Sequence, residues 1–180
     1  MPSNIEIKAV LRDPEAAVNI ASRLSSTPPE IIHQEDTFFA TPDGARLKLR
    51  VFDENSAELI RYERPDVAGT RCSHYLVART PDPKVLLEIL ARTVRQVGIV
   101  KKKRLLYMVG QTRVHIDEVD GLGDFLELEV VLRPGQSEFE GIKIAEGLMT
   151  EFGIAADDLR GEAYIDLLRK SAAETRLAAS

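Results

Sequence analysis

Leu126-Glu127-Leu128-Glu129-Val130 alternates apolar and acidic side chains one for one, and Arg46-Leu47-Lys48-Leu49-Arg50-Val51 does the same with basic ones. On a β-strand, successive side chains point to opposite faces. Each stretch therefore reads as a strand with one apolar and one charged face, its two charges roughly 6–7 Å apart on the same side. Asn4-Ile5-Glu6-Ile7-Lys8-Ala9 repeats the pattern with Glu6 and Lys8. Lys102 and Arg104 share the spacing, although Lys101 and Lys103 make the other face of that stretch polar as well.

Alternation of this kind fits a sheet whose charged face lies in water. Two features favour the opposite arrangement, with the charges inside. The chain has enough amphipathic helical stretches to cover the apolar strand faces, and its charges are sorted by strand, whereas a solvated surface mixes signs.

Working outward, eight strands are expected, near Asn4–Leu11, Ile31–Phe39, Ala45–Phe52, Ala57–Arg64, Cys72–Arg79, Ile99–Met108, Thr112–Glu118 and Asp124–Arg133. Short turn sequences join the second to the third (Thr41-Pro42-Asp43-Gly44), the sixth to the seventh (Val109-Gly110-Gln111) and the last two (Asp120-Gly121-Leu122-Gly123), which implies antiparallel neighbours. Asp13-Pro14 and Asp82-Pro83 are helix starts, the second running to a stop at Gly98. Ser137-Glu138-Phe139-Glu140 matches a capping box, and a last helix covers roughly Glu162–Leu177. The expected fold class is α+β: a closed eight-stranded antiparallel β-barrel, or tunnel, with helices packed outside. Such a barrel is wide enough inside for one small ligand.

Composition sets the frame. With 180 residues, 44% hydrophobic and 29% charged, the chain reads as one globular domain over 1–180. It contains no apolar run of the ~18 residues that would cross a bilayer and no signal-peptide pattern, so no membrane partner and a cytoplasmic location are expected. The single cysteine, Cys72, fits a reducing compartment and reads as a strand residue, not a nucleophile. A net charge of −5 argues against a nucleic-acid binder. Locally basic clusters on an acidic protein suit a small anion. Monomer and homodimer both stay open.

An interior lined by Lys and Arg needs anions to neutralise it, because unpaired buried charge is costly. Phosphates would do so. Arg offers bidentate contacts and Lys a point charge. Glu127 and Glu129 would repel phosphate directly; a hard cation, Mg²⁺ or Mn²⁺, held by carboxylates and phosphate oxygens resolves that conflict.

These residues resemble the CYTH superfamily, the triphosphate tunnel enzymes that include class IV adenylyl cyclases and thiamine triphosphatases. Residues 4–8 look like the family's N-terminal E-x-E-x-K signature, 46–50 like its basic third strand and 100–104 like its K-x-R strand. The stretch from His115 through Asp117, Gly121, Gly123 and Phe125 to Glu129 is similar to its long C-terminal motif, and this match is the specific one. The resemblance implies a triphosphate-binding tunnel with Mg²⁺ or Mn²⁺. Carried over, Glu6, Glu127 and Glu129 would hold metal; Lys8, Lys48, Arg50, Lys102 and Arg104 would bind phosphates; Glu6, Lys8 and Asp117 would serve catalysis. Arg61, Arg64 and Arg71 are further substrate-binding candidates, though alternation puts Arg61 and Arg64 on opposite faces. Asn4 stands where the signature has its first Glu, keeping an oxygen but losing a charge, which bears on a second metal.

Elsewhere, His115 reads as a strand residue supporting Asp117. Tyr62, Tyr75 and Tyr107 read as packing, Phe38, Phe39 and Phe125 as core, and Tyr164 as packing the last helix on the barrel mouth. The expected function is a metal-dependent triphosphatase acting on a triphosphate-bearing small molecule. The alternatives are an adenylyl cyclase, with the ribose 3′-hydroxyl of ATP as nucleophile, and a non-catalytic polyphosphate or nucleotide binder.

Overall fold

The computed structural model describes residues 3–63 and 71–178, with side chains described over 4–63 and 75–175. Eight strands are present: β1 (Ser3–Val10), β2 (Glu30–Phe39), β3 (Arg46–Asp53), β4 (Ser56–Glu63), β5 (Arg71–Thr80), β6 (Gln96–Val109), β7 (Thr112–Val119) and β8 (Gly123–Val131). Among the described residues four α-helices accompany them, α1 (Pro14–Leu24), α2 (Pro83–Thr93), α3 (Glu138–Glu151) and α4 (Tyr164–Ala178), with a short 3-10 turn at Ala156–Asp158. The fold is α+β, an antiparallel sheet curled around a polar interior with helices outside.

Strand order around the sheet is β1-β5-β4-β3-β2-β6-β7-β8. β1 pairs with β8 over seven residue pairs, Asn4 to Val10, and with β5 over only four, Ser3 to Glu6. The β1–β5 ladder is thus the thinnest seam among the described residues.

Apolar strand faces point outward, under the helices. Ile5 and Ile7 of β1, Leu126, Leu128 and Val130 of β8, and Val114 and Ile116 of β7 form one buried cluster with Ala17 and Ala21 of α1 and Ala145 of α3. Leu49 of β3, Phe39 of β2 and Ala57 of β4 pack under Leu86, Leu87 and Leu90 of α2. Burying each such large side chain stabilises the fold by about 1.5–3 kcal/mol, so this arrangement forces the opposite, charged faces inward. Gly141 lets α3 approach: a Cβ there would lie 2.5 Å from Leu132 Cδ2 and 2.8 Å from Ile5 Cγ1.

Two helix starts are capped as their sequences imply, whereas Asp82, ahead of Pro83, places the start of α2 without a side-chain cap. Asp13 accepts a hydrogen bond from the Ala16 amide at 2.9 Å ahead of Pro14, and Ser137 and Glu140 form a reciprocal capping box. The end of α2 differs from expectation. It stops at Thr93, where the β-branched Val94 turns extended, and β6 already includes Val97 and Gly98. Gly98 is needed for a different reason: a Cβ would fall 2.6 Å from Ile165 Cδ1, so the glycine makes room for α4.

Arg64 and the side chains of Arg71 and Cys72 lie outside the described residues. No helix of the described residues is long and apolar enough to cross a membrane.

Candidate functional site

Inward-facing side chains surround a cavity of about 560 Å³. Glu6 and Lys8, Lys48 and Arg50, Lys102 and Arg104, and Glu127 and Glu129 all line it. All four charged pairs therefore share one face of the curled sheet. Lys101 marks the opposite parity: it is exposed and bonded to Glu35 at 2.9 Å.

The basic side is made by β3 and β6, with β2 between them. Asp36 of β2 is nearly fully buried and takes Arg50 on both oxygens at 2.8 Å and Lys48 at 2.7 Å. Burial would raise its carboxyl, but the two cations overcome that and hold it far below the usual range. Burial lowers Lys48 to about 8, helped by Arg50 and opposed by Asp36. On β6, Arg104 grips Asp117 through Nε and Nη2 at 2.6 Å each, and Lys102 reaches the same carboxylate at 2.9 Å. Burial works against the charge of Arg104, yet Asp117 and Glu127 hold its pKa well above the usual value. Burial and the nearby Arg104 push Lys102 down.

The cations are thus neutralised partly by carboxylates of the protein itself, where the sequence led us to expect bound anions alone. Arg50 gives two of its five N–H donors to Asp36, so capacity for a ligand remains.

The acidic side is β8 with β1. Glu6 and Glu129 are direct cross-strand partners, as are Lys8 and Glu127. Glu127 lies 3.3 Å from Lys8 and 2.5 Å from Arg104. Burial opposes its ionisation, but Lys8, Lys102 and Arg104 keep its pKa well below normal. Glu129 faces Arg113 at 3.5 Å. His115, cross-strand from Glu127, is lowered to about 4 by burial and by Arg104, so it is neutral at ordinary pH. One ligand atom from each of His115, Glu127 and Glu129 lies within 4.8 Å of the others. Two carboxylates and a neutral imidazole form a donor set that fits a divalent cation.

Tyr164 at the start of α4 lies over one end of the interior. Its ring packs edge-on against Phe125 with centroids 5.0 Å apart, and the ammonium groups of Lys8 and Lys102 stand 4.0 and 5.0 Å from it. Its hydroxyl donates to Asp117 at 3.0 Å. Lys8 also donates to the Glu162 carbonyl at 3.0 Å. Tyr164 packs the last helix onto the mouth as its sequence implied.

Some residues are placed differently from expectation. Arg61 is not brought to the cavity: it sits on the parity of Ala57 and Leu59 and pairs with Asp43 at 2.6 Å and Glu63 at 2.8 Å. Asp117 has no exposed surface and uses its oxygens on Arg104, Lys102 and Tyr164, which makes it a positioning residue. His115 groups with Glu127 and Glu129, its Nδ1 3.8 Å from Glu129. Tyr62 and Tyr75, cross-strand partners, line the cavity, while Tyr107 packs outside under α1. Phe38 lines the cavity, while Phe39 faces α2 and Phe125 lies beneath Tyr164. Sequence reasoning passed over Asp36, Glu58, Arg79 and Arg113, all at the cavity wall. Alternation with Gln34 and Phe38 could have marked Asp36. Asn4 also lines the cavity, buried, with Oδ1 lacking a hydrogen-bond partner.

Known proteins share this architecture. A model of the CYTH domain matches residues 3–162. Adenylate cyclase CyaB of Aeromonas hydrophila is 25% identical over 177 residues, spanning 93% of this chain and 89% of that protein. A solved structure from Pyrococcus horikoshii OT3 is similar with a TM-score of 0.79 and 24% identity, over 92% of this chain and 99% of its own. The Hippeastrum protein HpAC1, described with a dominant triphosphatase activity, is similar with a TM-score of 0.65 and 18% identity, over 94% and 96%.

Proposed function

This chain belongs to the CYTH domain family, and we propose that it is a divalent-metal-dependent enzyme that hydrolyses a triphosphate-bearing small molecule within a closed eight-stranded tunnel. One observation carries the reading. Lys48 with Arg50 and Lys102 with Arg104, each pair held by its own buried carboxylate, converge on the cavity that Glu6, Glu127 and Glu129 also line.

Phosphoryl transfer asks little covalent chemistry of the protein, so positioning and charge neutralisation supply most of the catalysis. Lys48 and Arg50 hold one end of the triphosphate while Lys102 and Arg104 hold the other. Their acidic partners fix these side chains before substrate arrives, which lowers the ordering cost of binding. Lys8, between Glu127 and Tyr164, sits where the basic and acidic sides meet and neutralises the phosphoryl group nearest the metal ligands. Glu6, Glu127 and Glu129 would hold Mg²⁺ or Mn²⁺, which when bound polarises phosphoryl oxygens and lowers the pKa of a coordinated water.

A second reading, adenylyl cyclase, is favoured by one observation of its own: Tyr62 and Tyr75 stand side by side on the cavity wall, where aromatic rings would take a nucleobase. The relative from Aeromonas hydrophila bears that name. The two readings part on products. Incubating the protein with inorganic triphosphate, thiamine triphosphate and ATP, each with Mg²⁺ or Mn²⁺, should release orthophosphate. Cyclic AMP with pyrophosphate from ATP would instead establish the cyclase, and no turnover of any of the three would sink both.

A further inference from the structure

His115 is 3% exposed, and its Nδ1 has no hydrogen-bond partner. An unpaired polar atom at that depth costs about 1–3 kcal/mol, so a rigid strand carrying one points to a ligand. The atom lies 3.8 Å from Glu129 Oε1. That is too long for a hydrogen bond. It is instead the separation expected of two donors sharing an ion, since atoms each about 2.1 Å from one metal lie roughly 3–4 Å apart. Glu127, the cross-strand partner of His115, supplies a third donor in the same 4.8 Å cluster.

Resting on the reading of the β8 carboxylates as metal ligands, we propose that His115 is a direct ligand of the cation held by Glu127 and Glu129, and that this imidazole makes the site select Mn²⁺, Co²⁺ or Zn²⁺ over Mg²⁺. Mg²⁺ prefers oxygen donors and gives up its water reluctantly. An imidazole nitrogen favours the transition ions, in the order set by their affinity for nitrogen. The histidine is buried and is not among the cavity-lining side chains, whereas the two glutamates are. His115, Glu127 and Glu129 would hold the ion between them, the carboxylates from the cavity side and the imidazole from a buried position. Arg104, 2.5 Å from Glu127, competes for that carboxylate. The nitrogen ligand therefore matters more than it would at an all-carboxylate site.

The experiment uses the full chain and Mn²⁺ alone. Pulsed electron paramagnetic resonance on the Mn²⁺-loaded protein should show coupling to a directly bound ¹⁴N nucleus, absent in His115→Gln. Calorimetry should show Mn²⁺ affinity falling about 10–100-fold in His115→Gln and His115→Ala, at least what losing an outer partner of a ligand costs. Mg²⁺ affinity should change by less than about threefold, since that ion draws little from nitrogen. The spectrum of the unmutated protein needs no variant, so a poorly folding substitution cannot mask the answer. Mn²⁺ that binds without nitrogen coupling, and is lost in Glu129→Gln, would overturn the role of His115 and leave the carboxylate reading intact. Absence of Mn²⁺ binding at millimolar concentration, with or without inorganic triphosphate, would remove both.

Discussion

Asp117 holds Arg104 by two parallel hydrogen bonds, both 2.6 Å, at a position with no exposed surface of its own. The two residues are direct cross-strand partners on β7 and β6, and Lys102 and the Tyr164 hydroxyl close on the same carboxylate. A pair this deep adds little net stability, because desolvation offsets the attraction, yet removing one partner strands the other. Its consequence is positional: two cations are fixed at the cavity wall by a residue that a ligand does not meet.

Asp117→Asn should therefore cost about 3–5 kcal/mol in chemical denaturation, since it leaves buried cations short of an anion. Added inorganic triphosphate raises the melting temperature of the unmutated protein by an amount that follows RT ln(1 + [L]/Kd). In the variant the rise should be larger, because the ligand replaces missing negative charge. Equal shifts in the two proteins would show that Asp117 and the ligand do not serve the same cations.

Lys48 gives a pH dependence with a definite sign. Its folded pKa is about 8 against a usual 10.5. Between those values the unfolded chain binds more protons, so this group makes the ligand-free protein more stable as pH rises through the window. Phosphate binding goes the other way, because a neutral lysine loses its charge-assisted contact. The triphosphate-induced rise in melting temperature, measured in a chelator, should shrink from about pH 7 to about pH 9.5, and Lys48→Arg should lessen the decline. A shift that stays constant in the unmutated protein would place Lys48 away from the phosphates.

Strand parity was legible because apolar alternation on β1, β3 and β8 leaves one way to bury Ile5, Leu49 and Leu128 beneath helices. Helix starts were legible because Asp13 and Ser137 cap through local bonds. Other features depend on residues far apart in sequence. Gly98 looks like a helix stop until Ile165 is seen against it. Arg61 looked like a phosphate ligand because its parity needs β4 placed under α2, and Asp36 was hidden beside Glu35 on a strand with mixed alternation. The orphaned Nδ1 of His115 is a property of assembled strands alone.

Glu127→Gln and Glu129→Gln should each keep the fold and abolish metal-dependent turnover. Each retains the shape and loses the charge that a cation needs. Glu127→Gln also removes a partner of Lys8 and Arg104, so its melting temperature should fall more than that of Glu129→Gln, which faces Arg113 at 3.5 Å. Wild-type turnover with unchanged metal dependence in both would refute the assignment of these carboxylates.

The last test asks whether Arg50 on β3 and Arg104 on β6, two strands apart around the sheet, grip one ligand. Arg50→Ala and Arg104→Ala should each weaken triphosphate binding by about 1.5–3 kcal/mol, the range for a charged hydrogen-bonded contact. Each also leaves its acidic partner, Asp36 or Asp117, with one cation fewer, which adds repulsion toward the phosphates. If both arginines bind the same triphosphate, the ligand can shift toward the remaining cations once either is lost, and the second substitution will not cost what it costs alone. The double variant should depart from additivity by more than the ~0.5 kcal/mol that separates independent sites. Lys101→Ala is the control, because Lys101 faces outward to Glu35 and should leave affinity unchanged. Calorimetric titration of the two single variants, the double variant and the control decides it: additive losses, or a loss in Lys101→Ala equal to that in Arg104→Ala, would mean that the cations do not converge on one ligand.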